Sequence, residues 1–122
     1  MNEKRVRLRD YHLDPATRYE AQDVLKQGSG EGFRKDCVAP AFAEAILEGV
    51  MLVVDIGGTW GVPPSFREET FGGLVRDHLD EGEHYDYRKH LRIESEDPSD
   101  VAFAWKDIEK MVKEYKPKKK QR

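Results

Sequence analysis

The sequence predicts an α/β fold: one small domain with a mostly parallel, mixed sheet of about four strands and about three main helices. Three observations predict it. Strand-like and helix-like apolar patterns alternate along the chain. The run VMLVVDI at residues 50–56 is continuously apolar and valine-rich, as in a central strand buried on both faces. The strand-like segments are separated by stretches long enough to hold the crossover helices that parallel pairing requires.

The elements follow in order. Residues 4–9, KRVRLR, alternate charge with Val6 and Leu8 and predict a short strand near a sheet edge. Residues 10–28 hold an Asp14-Pro15 turn signal and no clear period, and read mostly as loop. Ser29 is the expected N-cap of a helix whose stripe is Phe33, Cys37, Val38, Ala41, Phe42, Ala45 and Ile46. Pro40 inside it predicts a kink or restart, and Gly49 its end. After the central strand, Ser65 and Glu68 form an S-x-x-E pattern that predicts a capping box. That helix would bury Phe66, Phe71, Leu74, Val75 and Leu79, with Gly72 and Gly73 placed for close approach to the sheet. HLRIE at 90–94 predicts the next strand. Asp97 and Pro98 then open a last helix with a stripe of Val101, Trp105, Ile108, Val112 and Tyr115.

Composition narrows the function. Of 122 residues, 37% are charged, and no apolar run approaches the length of a membrane span. The first residues, MNEKRVRLRD, lack the apolar stretch of a signal peptide, so a cytoplasmic protein is expected. The single Cys37 allows no internal disulfide and reads as a small buried hydrophobe. Residues 1–115 form the expected domain, and 116–122 a basic, disordered tail. The tail carries +5, which leaves the body at −8 within a chain of net charge −3. An acidic body argues against nucleic acid as the partner.

The loop after the central strand, GGTWGVPPS, raises the functional question. It lies where the carboxyl ends of parallel strands converge, the usual ligand edge of an α/β sheet. Ser65 lacks a nucleophile elbow, and His78, on its own helix, is about 20 Å away along the axis. The loop matches no P-loop or dinucleotide fingerprint, and Pro63 and Pro64 remove backbone donors an anion would use. His78, His84 and His90 are spaced six apart, which suits no shared face for a metal. No cofactor and no metal site is expected. Trp60, between small neighbours, is expected to be exposed as a binding anchor. Asp55 is expected to orient the loop by accepting its backbone donors, together with Gly58.

The stretches SGEGFRKDCVAPAF, VVDIGGTWGVPPSFREETFGGLV and LRIESEDPSDVAFAWKDIEKM resemble the STAS-like domain family of unknown function (the DUF4325 group) over about residues 28–112. The strand ending in Asp55, Gly58, the Ser65-Phe66 pair, Glu68-Glu69 and Phe71-Gly72-Gly73-Leu74 carry the likeness. The resemblance implies a STAS-like fold related to anti-sigma-factor antagonists, which bind a histidine-kinase-like ATPase and are switched by serine phosphorylation. It places Ser65 near the phosphoacceptor, with Thr59 a second candidate. Pro63-Pro64-Ser65 departs from the acidic residue and two serines of the antagonists. The expectation is a non-catalytic, regulatory protein-interaction module. Its contacts would be Trp60, Pro63, Pro64, Phe66, Arg67 and Glu69. The alternative is a small nucleotide-binding protein or enzyme using the 55–68 loop.

Overall fold

A computed structural model describes residues 2–24 and 28–117. The fold is α/β. Three parallel strands, β1 (Glu3–Arg7), β2 (Met51–Asp55) and β3 (Leu91–Glu94), lie in the order β1-β2-β3. Among the described residues this is the low end of the expected strand number, and no antiparallel strand joins the sheet. The expected strand at 4–9 stops at Arg7, because Leu8 turns into a short helix, α1 (Leu8–Tyr11), to bury its side chain. Of the stretch expected as loop, residues 12–24 are mostly irregular, with a 3-10 turn at Glu20–Gln22 and a bridge from Thr17 to Ser29, and residues 25–27 lie outside the described residues. Of the basic tail, only Lys116 and Pro117 lie within the described residues.

The first crossover carries a continuous helical run, 30–48. It comprises α2 (Gly30–Phe33), a π-helical turn (Arg34–Val38) and α3 (Ala39–Glu48). Ser29 caps it by accepting from the Gly32 amide at 2.9 Å. The π turn answers the Pro40 problem. The Ala39 N–H reaches back five residues to the Arg34 carbonyl, and the wider turn makes room for a ring that lacks a donor. Gly49 closes the run in the left-handed region at φ 68°.

The second crossover carries α4 (Pro64–Arg67), another π turn (Glu68–Gly72) and α5 (Gly73–Asp80). The expected Ser65–Glu68 capping box does not form. Pro63 occupies the N-cap with extended geometry and Pro64 the first helical position, where its fixed φ and missing N–H cost nothing. Ser65 thereby lies two positions past the N-cap, too far in to cap. After α6 (Tyr87–His90) and β3, α7 (Pro98–Glu114) opens as expected, with Asp97 accepting from the Ser99 amide at 2.9 Å. Its buried stripe is Ala104, Trp105 and Ile108, with Met111 against the core. Val112 is exposed, because the stripe follows the helical period through 111.

The two π turns meet through ions. Buried Arg34 donates from Nη1 to Glu69 Oε2 and to the Glu69 carbonyl, both at 2.6 Å. Its Nε lies 3.0 Å from Asp77 Oδ2, out of line for a hydrogen bond. Arg18 and Arg76 also reach Glu68 and Glu69. This network, and not the sheet, explains the paired glycines. A Cβ at Gly73 would sit 2.2 Å from Arg34 Nη1, and one at Gly72 would sit 2.1 Å from Glu68 Oε2.

Core side chains from the helices cover one face of the sheet, packing on Val6, Leu52, Val54, Leu91 and Ile93. Two crossovers that step in the same direction with the same hand place their helices on the same side. The other face carries the rows Arg5–Val53–Arg92 and Arg7–Asp55–Glu94. There a closed ring of ion pairs takes the place of a second helical layer. Arg5 bonds Glu94 at 2.6 Å and Glu3 at 2.9 Å, and Arg92 bonds both Glu3 and Glu94 at 3.1 Å. The ring roofs Val53, which is fully buried beneath it.

Two outcomes are expected. Glycine to alanine inside a helix ordinarily gains about 1 kcal/mol, but Gly73→Ala displaces a buried guanidinium and should lose about 2 kcal/mol or more in urea unfolding. The Arg5 bond, reinforced by Arg92, holds the Glu94 carboxyl below its ordinary range. A depressed carboxylate stabilises the fold above the unfolded pKa and loses that effect as pH falls through the folded one. Glu94→Gln should therefore flatten the stability loss below about pH 5, while costing no more than about 1 kcal/mol at neutral pH because the pair is partly exposed.

Candidate functional site: the loop after the central strand

Residues 56–63 leave β2 at the carboxyl edge of the sheet and are held at several points. The Ile56 amide donates to the Glu94 carbonyl at 2.8 Å, which extends the strand pairing by one residue. Asp55 then organises the turn. Its Oδ1 accepts from the Gly57 amide at 2.9 Å, and its Oδ2 accepts from Arg9 Nη1 at 2.8 Å. Partial burial works against the charge on Asp55, but the Arg9 and Gly57 bonds outweigh it and hold the carboxyl below its ordinary range. Both oxygens are thus occupied in positioning.

Gly58 sits at φ 74° and donates to Glu96 Oε1 at 3.1 Å. Its conformation suits glycine, and a Cβ there would meet Arg9 Cδ at 2.7 Å. Trp60 donates its backbone N–H to the Leu13 carbonyl at 2.8 Å. The backbone is fastened, yet the indole is 79% exposed. Leu13, beside it, is also exposed. Arg9, Leu13 and Glu96 were invisible to the sequence reading, because each acts across 38 or more residues and no local pattern marks it.

The other expected contact residues divide. Pro63 is half-buried and Pro64 exposed, at the helix end of the loop. Phe66 is buried in the core, stacked on Phe33 at 6.2 Å between ring centroids. Glu69 is buried with Arg34. Neither offers a surface, since an apolar ring and a paired carboxylate are each committed inward. Arg67 is mostly buried, bonded from Nε to Asp107 at 2.8 Å and lying over Phe103. Ser65 is half-buried, and its side chain makes no hydrogen bond among the described residues, so its hydroxyl is uncommitted. Thr59 Oγ1 accepts from the Gly61 amide at 3.4 Å.

Beside the loop lies an open cleft of about 780 Å³ across the carboxyl ends of the strands and the start of α7. Arg9, Asp55, Glu94, Glu96, Pro98 and Val101 line it. Of the residues an enzyme would use, Glu68 is engaged with Arg18 and Arg76 and Asp55 with Arg9. His78 lies elsewhere, half-buried, with Nδ1 2.7 Å from the Tyr87 hydroxyl and its pKa lowered by burial. It belongs to an aromatic cluster with Phe42, Tyr85 and His90. Cys37 is half-buried against the core, and burial pushes its thiol pKa up. No helix among the described residues is long and apolar enough to cross a membrane.

Comparison with protein-family models, with curated proteins and with solved structures finds no match to this chain.

Asp55→Ala should release the Gly57 amide and the Arg9 guanidinium together. Hydrogen exchange at Gly57 and Trp60 should accelerate while circular dichroism stays native, with a stability loss of about 1–3 kcal/mol.

Proposed function

We propose that the chain is a non-catalytic protein-interaction module of the cytoplasm, and that the Trp60 loop is its contact surface. One observation carries this reading: a tryptophan 79% exposed at the tip of a loop whose backbone is fastened on both sides. Exposed apolar area of that size is costly in water, and a preorganised aromatic loses little entropy when it docks. Exposed Leu13, whose carbonyl accepts from the Trp60 amide, adds apolar surface beside it. The partner class follows from the STAS-like resemblance: a histidine-kinase-like ATPase or other signalling protein. Ser65 is the switch in this reading. Its hydroxyl is uncommitted, and the nearby Glu68 and Glu69 are countered by Arg18, Arg34 and Arg76. A phosphate at the second position of the helix would meet a favourable backbone dipole.

A second reading rests on the 780 Å³ cleft, which is roomy enough for a small ligand. It gives Trp60 no role.

The test is capture from a native extract with wild type, Trp60→Ala and Ser65→Glu, each checked for native circular dichroism. Retention of an ATPase of that class by wild type, and its loss by about 30-fold with Trp60→Ala, is expected of an aromatic anchor. Equal retention by wild type and Trp60→Ala would overturn the loop as the contact surface. Phosphate on Ser65 of the recovered bait, together with release by Ser65→Glu, is expected of the switch.

A further inference from the structure

A parallel sheet almost always has both faces covered. Here the helices cover one face, and among the described residues the opposite face presents side chains from the strands, with Arg9 of α1 reaching over Asp55 at one end. That face lies apart from the Trp60 loop, and its role is independent of the function proposed above. We infer that the bare face is the contact surface between two copies of this chain, packed sheet to sheet about a two-fold axis.

Charge is the argument for the occupant. Residues 1–115 carry a net −8, so two copies repel through most of their surfaces. The bare face is the exception. Its strand residues set Glu3, Asp55 and Glu94 against Arg5, Arg7 and Arg92, which sum to no net charge, and Arg9 adds one positive charge beside Asp55. The four ring members satisfy one another: each carboxylate oxygen of Glu3 and Glu94 accepts from Arg5 or Arg92. Their charges are therefore partnered before any contact forms, which lowers the cost of removing them from water. Arg7 is different. It is exposed and has no carboxylate partner among the described residues.

The register shows where its partner would be. Glu3 and Arg7 lie two residues to either side of Arg5 on the same face of β1. A two-fold axis along the Arg5–Val53–Arg92 row, perpendicular to the strands, exchanges those two positions. Arg7 of each copy then stands opposite Glu3 of the other, and one contact becomes two by symmetry. The ring of one copy lies over that of its mate, so Arg5 and Arg92 each face their own counterpart across the axis, every guanidinium already bonded to Glu3 and Glu94 of its own chain.

The experiment is light scattering coupled to gel filtration on the full chain, at about 50 mM salt where such pairs are weakly screened. Wild type should elute as a dimer that weakens as salt is raised. Arg7→Ala leaves the ring intact and should weaken the dimer at least ten-fold. Arg7→Glu and Glu3→Arg, each verified as folded by circular dichroism, should be monomeric alone. Mixed in equal amounts they should form a heterodimer, because each then meets its opposite charge across the axis. A monomeric wild type at about 100 μM, a dimer indifferent to Arg7→Ala, or a mixture of the two folded reversal variants that stays monomeric would each overturn the proposal.

Discussion

The pair between Arg34 and Glu69 is the interaction on which the helical layer depends. Both side chains are buried, and both lie in π turns, where the helix widens to bring them face to face. Burying two charges is expensive, and breaking such a pair leaves one of them stranded at about 3–5 kcal/mol. Other features follow from accommodating it. Gly73 must be glycine because the guanidinium fills the space of a side chain. Glu68 and Glu69 draw in Arg18 and Arg76, which ties the irregular segment 13–24 to the second crossover. By fixing the start of the 64–80 run, the pair also sets where the preceding loop must end.

The loop is supported differently. No single bond holds it; its anchors come from separate elements: Asp55 in β2, Arg9 in α1, Glu96 after β3 and the Leu13 carbonyl. A loop fixed from several directions can carry an exposed tryptophan without collapsing it onto the core. The arrangement accounts for the glycines too, since Gly58 lets the backbone pass close to Arg9. Rigidity of the backbone and exposure of the side chain are the two properties a recognition loop needs.

Ionic chemistry recurs wherever this small protein lacks apolar material. With 38% hydrophobic residues, the chain covers one face of its sheet with helices and the other with a ring of two arginines and two glutamates. The aliphatic stems of Arg5 and Arg92 shield Val53 while their charged heads remain at the surface. The high charge content of the sequence is thus partly structural and is not simply a solvated surface.

Much of the fold was legible in the chain itself, because it rests on local rules. The valine-rich run at 50–56, the caps at Ser29 and Asp97, the stop at Gly49 and the distortion near Pro40 are consequences of neighbouring residues alone. The sequence also determined that Asp55 would hold its loop, since the acceptor and the Gly57 donor are two residues apart. The failure at Ser65 was local as well: two prolines compete for the helix start, and Pro64 takes the first position. Tertiary structure alone decided the rest. Arg9 meets Asp55 across 46 residues, Arg34 meets Glu69 across 35, and Arg5 meets Glu94 across 89. Long charged side chains have no periodic signature, so their partners emerge only when the order of strands and the packing of helices bring distant backbone together.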